Sequence, residues 1–394
     1  MAGGKPPEHT AHDSAQPLAQ QGAAWLRGYA GLPLPRDLNW AWTLGAMLVA
    51  VLVLMLMTGL VLTLGYTPDA GLAFGSVEAL ERRFPYGWLM RGLHMTGASF
   101  CMLVLYGHIL RGLYYRCYLA THQRVWLGGC GLMALLMVTA FAGYVLPWGQ
   151  MSYWGADVAS KAVGAIPVLG PELEGIFLGG SSPGTPTLHR MFTLHFLLAF
   201  VIVGGVVLHV AMVHGRGSSS PSGRTMRDVG SLPFHPYFTV RDMLAVVVLA
   251  LAFVLVLCFW PGLIIEPANY RPANPLHTPA DIEPAWYFLP FYGMMQVIPS
   301  RLFGMVLSGG AVAILFAVPW LDKGRAGQGA TGVGRVAAFV ALACLVGGAV
   351  LVAAAGRHHV AGGWLLAGRL GCALYYAYFL LFLPLRSRMA GEGA

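Results

Sequence analysis

Long charge-free apolar runs alternate with short polar stretches along most of this chain. The uncharged runs occupy 38–68, 92–110, 125–156, 191–215, 243–265, 302–321 and 336–356, and an eighth, 360–385, is interrupted only by Arg369. A membrane-crossing helix needs ~20 predominantly apolar residues to span ~30 Å of hydrocarbon. Each run meets that length, so the pattern predicts an all-α integral membrane protein with eight transmembrane helices. An even number of crossings puts both termini on one side. The segment 1–38 is polar and rich in Pro and Gly, with no charged-then-apolar signal pattern. Its 15–30 part is expected to lie along the membrane surface.

Composition agrees with this class and removes others. Of 394 residues, 57% are hydrophobic and only 10% charged, whereas soluble domains carry about 25% charged residues. The net charge of +8 therefore reports membrane orientation rather than nucleic-acid binding. Fifteen Lys/Arg fall on the side of the termini and eight on the other, with Arg369 inside a span. The positive-inside bias places both termini in the cytoplasm or its topological equivalent. Six widely spaced cysteines form no CxxC and no CxxCH, which leaves a disulfide framework, a Cys-ligated zinc and covalent haem attachment unsupported.

The chemistry lies in the second and fourth spans. His94 and His108 are 14 residues apart on one, and His195 and His209 are 14 apart on the other. Fourteen helical steps return to within about 40° of the starting face after ~21 Å of rise. Two facing helices would thus present two His–His pairs, one near each membrane face. Ionisable groups inside lipid are functional candidates by default, and imidazole is an axial ligand of haem iron. One such histidine reads best as a polar core residue; four at a duplicated spacing read as ligands. Gly45 and Gly59 on the first span, and Gly129 and Gly143 on the third, repeat the same interval. A flat macrocycle needs places where bare backbone can approach it, and glycine alone lacks a Cβ. The expectation is a four-helix bundle enclosing two stacked haems. Arg91, Arg111 and Arg190 lie near these histidines at span ends, where a guanidinium can pair with haem propionates or simply mark a membrane boundary.

The segment GYVLPWGQMSYWGADV (143–158), the four histidines, the paired glycines, FHPYFTVRD (234–242) and NYRPANPLHTP (269–279) together resemble cytochrome b of the cytochrome bc complexes, in the same order and over nearly the whole chain. The 14-and-14 spacing in one uninterrupted chain is similar to the respiratory form. The resemblance implies that His94 and His195 hold a haem near the positive side, and His108 and His209 one near the negative side. It implies a quinone-reducing site at His214, Ser218, Arg241 and Asp242. It also implies a quinol-oxidising site framed by Phe141, Tyr144, Gly155, Pro284, Trp286, Tyr287 and Tyr292. The implied partners are a Rieske iron–sulfur protein, a cytochrome c-type subunit, quinone, lipid and a second copy of the complex. The implied activity is that of a quinol:cytochrome c oxidoreductase that contributes to proton translocation.

One departure stands out. The family reads Pro-Glu-Trp-Tyr, or Asp for Glu, where this chain has Pro284-Ala285-Trp286-Tyr287. Alanine cannot accept the proton released by an oxidising quinol, and Glu283 is the nearest carboxylate in sequence, with Tyr144 and Tyr292 as further candidates. The chain is read as a surface segment (1–38), a dihaem bundle (39–215), a linker (216–240) and a C-terminal helical domain (241–394). The long loops 157–188 and 266–290 are expected to form the docking surface for the Rieske head, and 324–334 a loop. Two other readings compete. A dihaem membrane anchor of a dehydrogenase is disfavoured by the 143–158 segment. A weakly active paralogue has only Ala285 in its support.

Overall fold

The eight apolar runs appear as eight helices long and apolar enough to cross a bilayer, among the described residues of the computed structural model. Those residues are 27–119, 122–324, 332–358 and 360–386, with Gln20 and Ala24. Most of the 1–38 segment and of the 324–334 loop lies outside them. The helices that matter here are α1 (Leu44–Thr63), α2 (Ala73–Arg83), α3 (Gly87–Tyr114), α4 (Gln123–Val145), α5 (Gln150–Gly164), α6 (Gly170–Leu178), α7 (Thr185–Arg216), α8 (Thr239–Phe259), α9 (Leu289–Gln296), α10 (Arg301–Leu321), α11 (Gly332–Arg357) and α12 (Gly363–Ala377).

Their outer faces are apolar. Val49, Val53 and Met57 on α1, and Val247, Leu251 and Val254 on α8, are all exposed. In water such faces would drive aggregation; in a bilayer they meet a solvent as apolar as themselves. Polar contacts are turned inward or toward the ends. Asn39 starts the first crossing by accepting from the Ala41 amide at 3.0 Å, one of the orphan donors every helix start must satisfy.

Three runs end earlier as helices than their lack of charge predicted. The first stops at Thr63 rather than 68, and the fifth at Phe259 rather than 265, just before Pro261. The third shows why most clearly. It was expected to run to 156, yet α4 stops at Val145 and α5 begins afresh at Gln150. Pro147 lacks an amide proton and disfavours helix before it, and Trp148 turns the chain with a φ of 54°. Gly149 then packs so tightly on the backbone of Asn269 that a Cβ would lie 2.8 Å from its carbonyl carbon. Absence of charge marks what lipid tolerates, not where hydrogen bonding stops.

Pairing within the first half follows the glycine and histidine pattern. Helix α1 packs along α3, and α4 along α7. In the second half, α11 lies against α12 and α9. Gly348 approaches the Gly371 carbonyl so closely that a Cβ would sit 2.7 Å from it, the close backbone contact that small residues permit in membranes. The halves meet in one apolar core that takes in Met102, Leu113 and Trp126 from the first and Met294, Leu315 and Phe379 from the second. The polar linker is fastened as well. Strand β1 (Pro33–Pro35) pairs antiparallel with β2 (Ser231–Pro233), and Asp37 accepts hydrogen bonds from the hydroxyls of Ser220 and Ser222 at 2.5 and 2.6 Å.

Candidate functional site

Each of the four intramembrane histidines lies against one of the four glycines at the matching interval. A Cβ built on Gly59 would stand 3.0 Å from His94 Cε1, one on Gly143 2.5 Å from His195 Cε1, one on Gly129 3.2 Å from His209 Cε1 and one on Gly45 3.9 Å from His108 Cε1. The helix pairs α1–α3 and α4–α7 thus place a side-chain-free surface beside every imidazole. The rings of His94 and His195 come from opposite helices and face each other with centroids 6.0 Å apart and planes at 76°.

Hydrogen bonds orient the upper pair. His94 Nδ1 lies 3.0 Å from the Thr58 hydroxyl, and His195 Nδ1 lies 2.7 Å from the Thr139 carbonyl. A hydrogen bond at Nδ1 fixes the ring and leaves Nε2 free to ligate. At the lower pair, His209 Nδ1 and Arg111 Nε are buried without a hydrogen-bond partner among the described residues, while Arg111 Nη2 lies 3.5 Å from His108 Nδ1. Buried polar atoms are ordinarily satisfied. Orphans beside a glycine-lined gap fit a polar, flat group such as haem, and the donor set of four neutral-capable imidazoles suits its iron.

The arginines divide. Arg91 is buried, pairs with Glu81, and stacks its guanidinium 4.4 Å from the Tyr270 ring centroid. Arg111 lies over Trp42 at 4.8 Å. Both reach the histidine region. Arg190 does not: it is exposed and donates to the Pro186 carbonyl at 3.1 Å.

A cavity of about 360 Å³ opens from the His94–His195 pair toward the loop 261–287. Tyr144, Glu283, Pro284, Trp286 and Tyr287 line it, together with Arg91. Phe141, Gly155 and Tyr292 stand behind this wall. Phe141 packs on Phe288, a Cβ on Gly155 would touch Tyr144 at 3.7 Å, and Tyr292 shares the field of Glu283. Ala285 lies on the cavity surface, so the place of the missing carboxylate is lined by a methyl group. Glu283 accepts from Arg357 Nε at 3.0 Å, a partner 74 residues away.

Two sequence segments far apart in the chain build the floor of this cavity together. Asn269 Oδ1 accepts from both the amide and the hydroxyl of Ser152, at 2.9 and 3.0 Å. Gln150 accepts from the Asn274 amide at 2.7 Å and donates to the His277 carbonyl at 2.5 Å. The turn 146–149 and the loop 269–277 are therefore one unit.

At the opposite membrane face, His214 lies in the last turn of α7 and Asp242 in the first turn of α8. Tyr29, which the sequence pattern did not single out, joins them: its ring centroid lies 5.2 Å from that of His214. Burial and then the Asp242 carboxylate push the Tyr29 phenol above its ordinary value. Arg241 donates to the Leu38 carbonyl at 2.8 Å and lies over the Trp40 ring at 5.0 Å. The backbone beside Ser218 is held by His122, whose Nε2 lies 2.9 Å from the Gly217 carbonyl.

Known proteins carry the same arrangement of chain. Residues 29–217 match the model of the family described as cytochrome b/b6/petB, and residues 272–376 that of cytochrome b(C-terminal)/b6/petD. The chain is 40% identical over 365 residues to a cytochrome b of Rickettsia prowazekii (strain Madrid E), covering 92% of this chain and 90% of that one. It is 41% identical to a cytochrome b/c1 of Bradyrhizobium diazoefficiens, of which it spans 52%. Its fold superposes on a chain of a hyperthermophilic respiratory complex III with a TM-score of 0.87 at 28% identity, covering 95% of this chain and 98% of that one. With both halves matched and a relative this similar along almost its whole length, the chain belongs to the cytochrome b family, whose members are haem-carrying membrane subunits of electron transport.

Proposed function

We propose that this chain is the dihaem cytochrome b of a quinol:cytochrome c oxidoreductase of complex III type. The observation that carries the proposal is the meeting of four histidines, at a duplicated 14-residue spacing, with four glycines on the partner helices. His94 with His195, and His108 with His209, would hold two haems b, and Arg91 and Arg111 would supply the cations for their propionates. When bound, haem b supplies a one-electron redox centre within the low-dielectric bundle.

The chain's own residues do the rest. The part of the cavity away from His94 and His195, toward the loop 261–287, is the quinol-oxidising site, framed by Phe141, Tyr144, Gly155, Pro284, Trp286, Tyr287 and Tyr292, with Glu283 on its wall. Its opening toward the loop 261–287 leaves a face for a Rieske iron–sulfur partner, with a cytochrome c-type subunit beyond it. At the other face, His214, Ser218 and Asp242, with Tyr29 added, form the quinone-reducing site, and Arg241 braces α8 beside it. A histidine and a carboxylate flanking a quinone deliver protons to its two oxygens. With oxidation on the positive side and reduction on the side of the termini, turnover moves protons across the membrane. The division into 39–215 and 241–394, joined by 216–240, assigns both haems to the first half.

Optical and electron-spin spectroscopy of the purified complex tests the proposal. The expected result is two low-spin bis-imidazole b haems per chain, both reducible by a short-chain quinol. Fewer than two, or haems that quinol does not reduce, overturns it.

A further inference from the structure

The cavity beside His94 and His195 holds a second carboxylate that the sequence pattern did not mark. Glu266 and Glu283 both line it, and Ala285 stands on the same wall with no atom able to take a proton. The two acids differ in what already binds them. Glu283 Oε2 accepts a charged hydrogen bond from Arg357 Nε at 3.0 Å, so one of its two oxygens is already engaged by a cation. The Glu266 side chain makes no cap bond to its own turn and forms no ion pair among the described residues. Its backbone, by contrast, is fixed: the Glu266 carbonyl accepts from the Asn269 amide at 3.0 Å, and Asn269 is locked to Ser152. Glu266 is thus a free carboxylate on a rigid support.

Tyr144 lines the same cavity as the two acids, and its hydroxyl donates to the Glu283 carbonyl at 3.4 Å. Glu266 is also only half-buried, so a proton received from inside the cavity has a way out.

We propose that Glu266 is the proton acceptor of quinol oxidation in this chain, in the role that Ala285 leaves vacant. The inference rests on the reading of this cavity as the quinol-oxidising site. Oxidation of one quinol to quinone releases two electrons and two protons. One electron and one proton leave with the Rieske-type iron–sulfur partner, and the other electron goes to a haem acceptor. The remaining O–H bond of the quinol breaks, and its proton forms an O–H bond on Glu266, converting carboxylate to carboxylic acid.

The test uses the whole complex, a short-chain ubiquinol and an inhibitor of the quinone-reducing site. Glu266→Gln is expected to slow single-turnover haem reduction by at least about tenfold, the lower side of what a positioned base contributes, with the haem spectrum unchanged. Adding Ala285→Glu to that variant is expected to restore the rate, because the carboxylate returns to the same wall. Infrared difference spectra of turnover give a readout that a structural role would not move. A carboxylic-acid C=O band is expected in the wild type, persisting in Glu283→Gln. This infrared comparison does not depend on the assembly of Glu266→Gln. A wild-type rate in Glu266→Gln, or loss of the band in Glu283→Gln, overturns the proposal alone. Absence of quinol-dependent haem reduction in the wild type overturns the quinol-oxidising reading and this proposal with it.

Discussion

At the scale of single residues, function here depends on the pairing of an absent side chain with a present one. His195 is clamped between the Thr139 carbonyl and the bare backbone of Gly143, where an added methyl would lie 2.5 Å from the ring. At Gly45 the corresponding distance to His108 is 3.9 Å, ordinary van der Waals contact. On the proposed assignment, Gly143→Ala is therefore expected to cost the complex one of two b haems in the reduced optical spectrum, whereas Gly45→Ala keeps both. Loss of both haems, or of neither, in Gly143→Ala counts against the assignment. The histidines and glycines were legible because their spacing is local to each helix. Tyr29 and Glu266 were not, because nothing near them in sequence marks them. Tyr29 acquires its meaning from His214, 185 residues later, and Glu266 from Tyr144, 122 residues earlier. Arg190 shows the converse, since proximity in sequence to His195 did not bring it to the cavity.

At the scale of elements, charge-free length located every crossing but misplaced several ends, because helices stop where proline, a left-handed turn or a tertiary contact stops them. Ends also carry the polar fastenings. Just past α3, Arg116 reaches Asp322 just past α10, its Nε 2.7 Å from Oδ2, and the Tyr118 hydroxyl donates to the same oxygen at 2.7 Å. The side chains of the ion pair are only 4% and 0% exposed. Breaking a buried pair from one side costs about 3–5 kcal/mol, so Asp322→Ala is expected to lower the thermal unfolding midpoint of the detergent-solubilised complex markedly. Burial alone would raise the Asp322 carboxyl, but the hydrogen bonds from Arg116 and Tyr118 outweigh it and hold the group below the ordinary carboxylate value. A depressed folded-state value means stability that is present at neutral pH and lost as pH falls through it. The difference between wild type and Asp322→Ala should accordingly shrink below about pH 4. A difference that grows toward acid would contradict this.

At the scale of the whole molecule, the two halves are joined by a shared apolar core, the Arg116–Asp322 pair and the 146–149 turn seated on the 269–277 loop. The cavity beside His94 and His195 takes its lining from both halves. The excess of Lys/Arg on the side of the termini predicts where they lie: a reporter active only in the cytoplasm, fused after Ala394, is expected to be functional, and one active only outside it silent. The reverse result would invert both proposed quinone sites. The amino-acid sequence by itself determined the class of the molecule, its eight crossings and the register of four histidines with four glycines. All of these are periodic or compositional, and a bilayer with no water to share hydrogen bonds leaves helices little alternative. Only the tertiary structure decided which carboxylate stands unbound on the cavity wall, which arginines reach the histidines and which tyrosine joins His214. Those depend on contacts between residues tens to hundreds of positions apart, and such distances are set by packing rather than by any pattern along the chain.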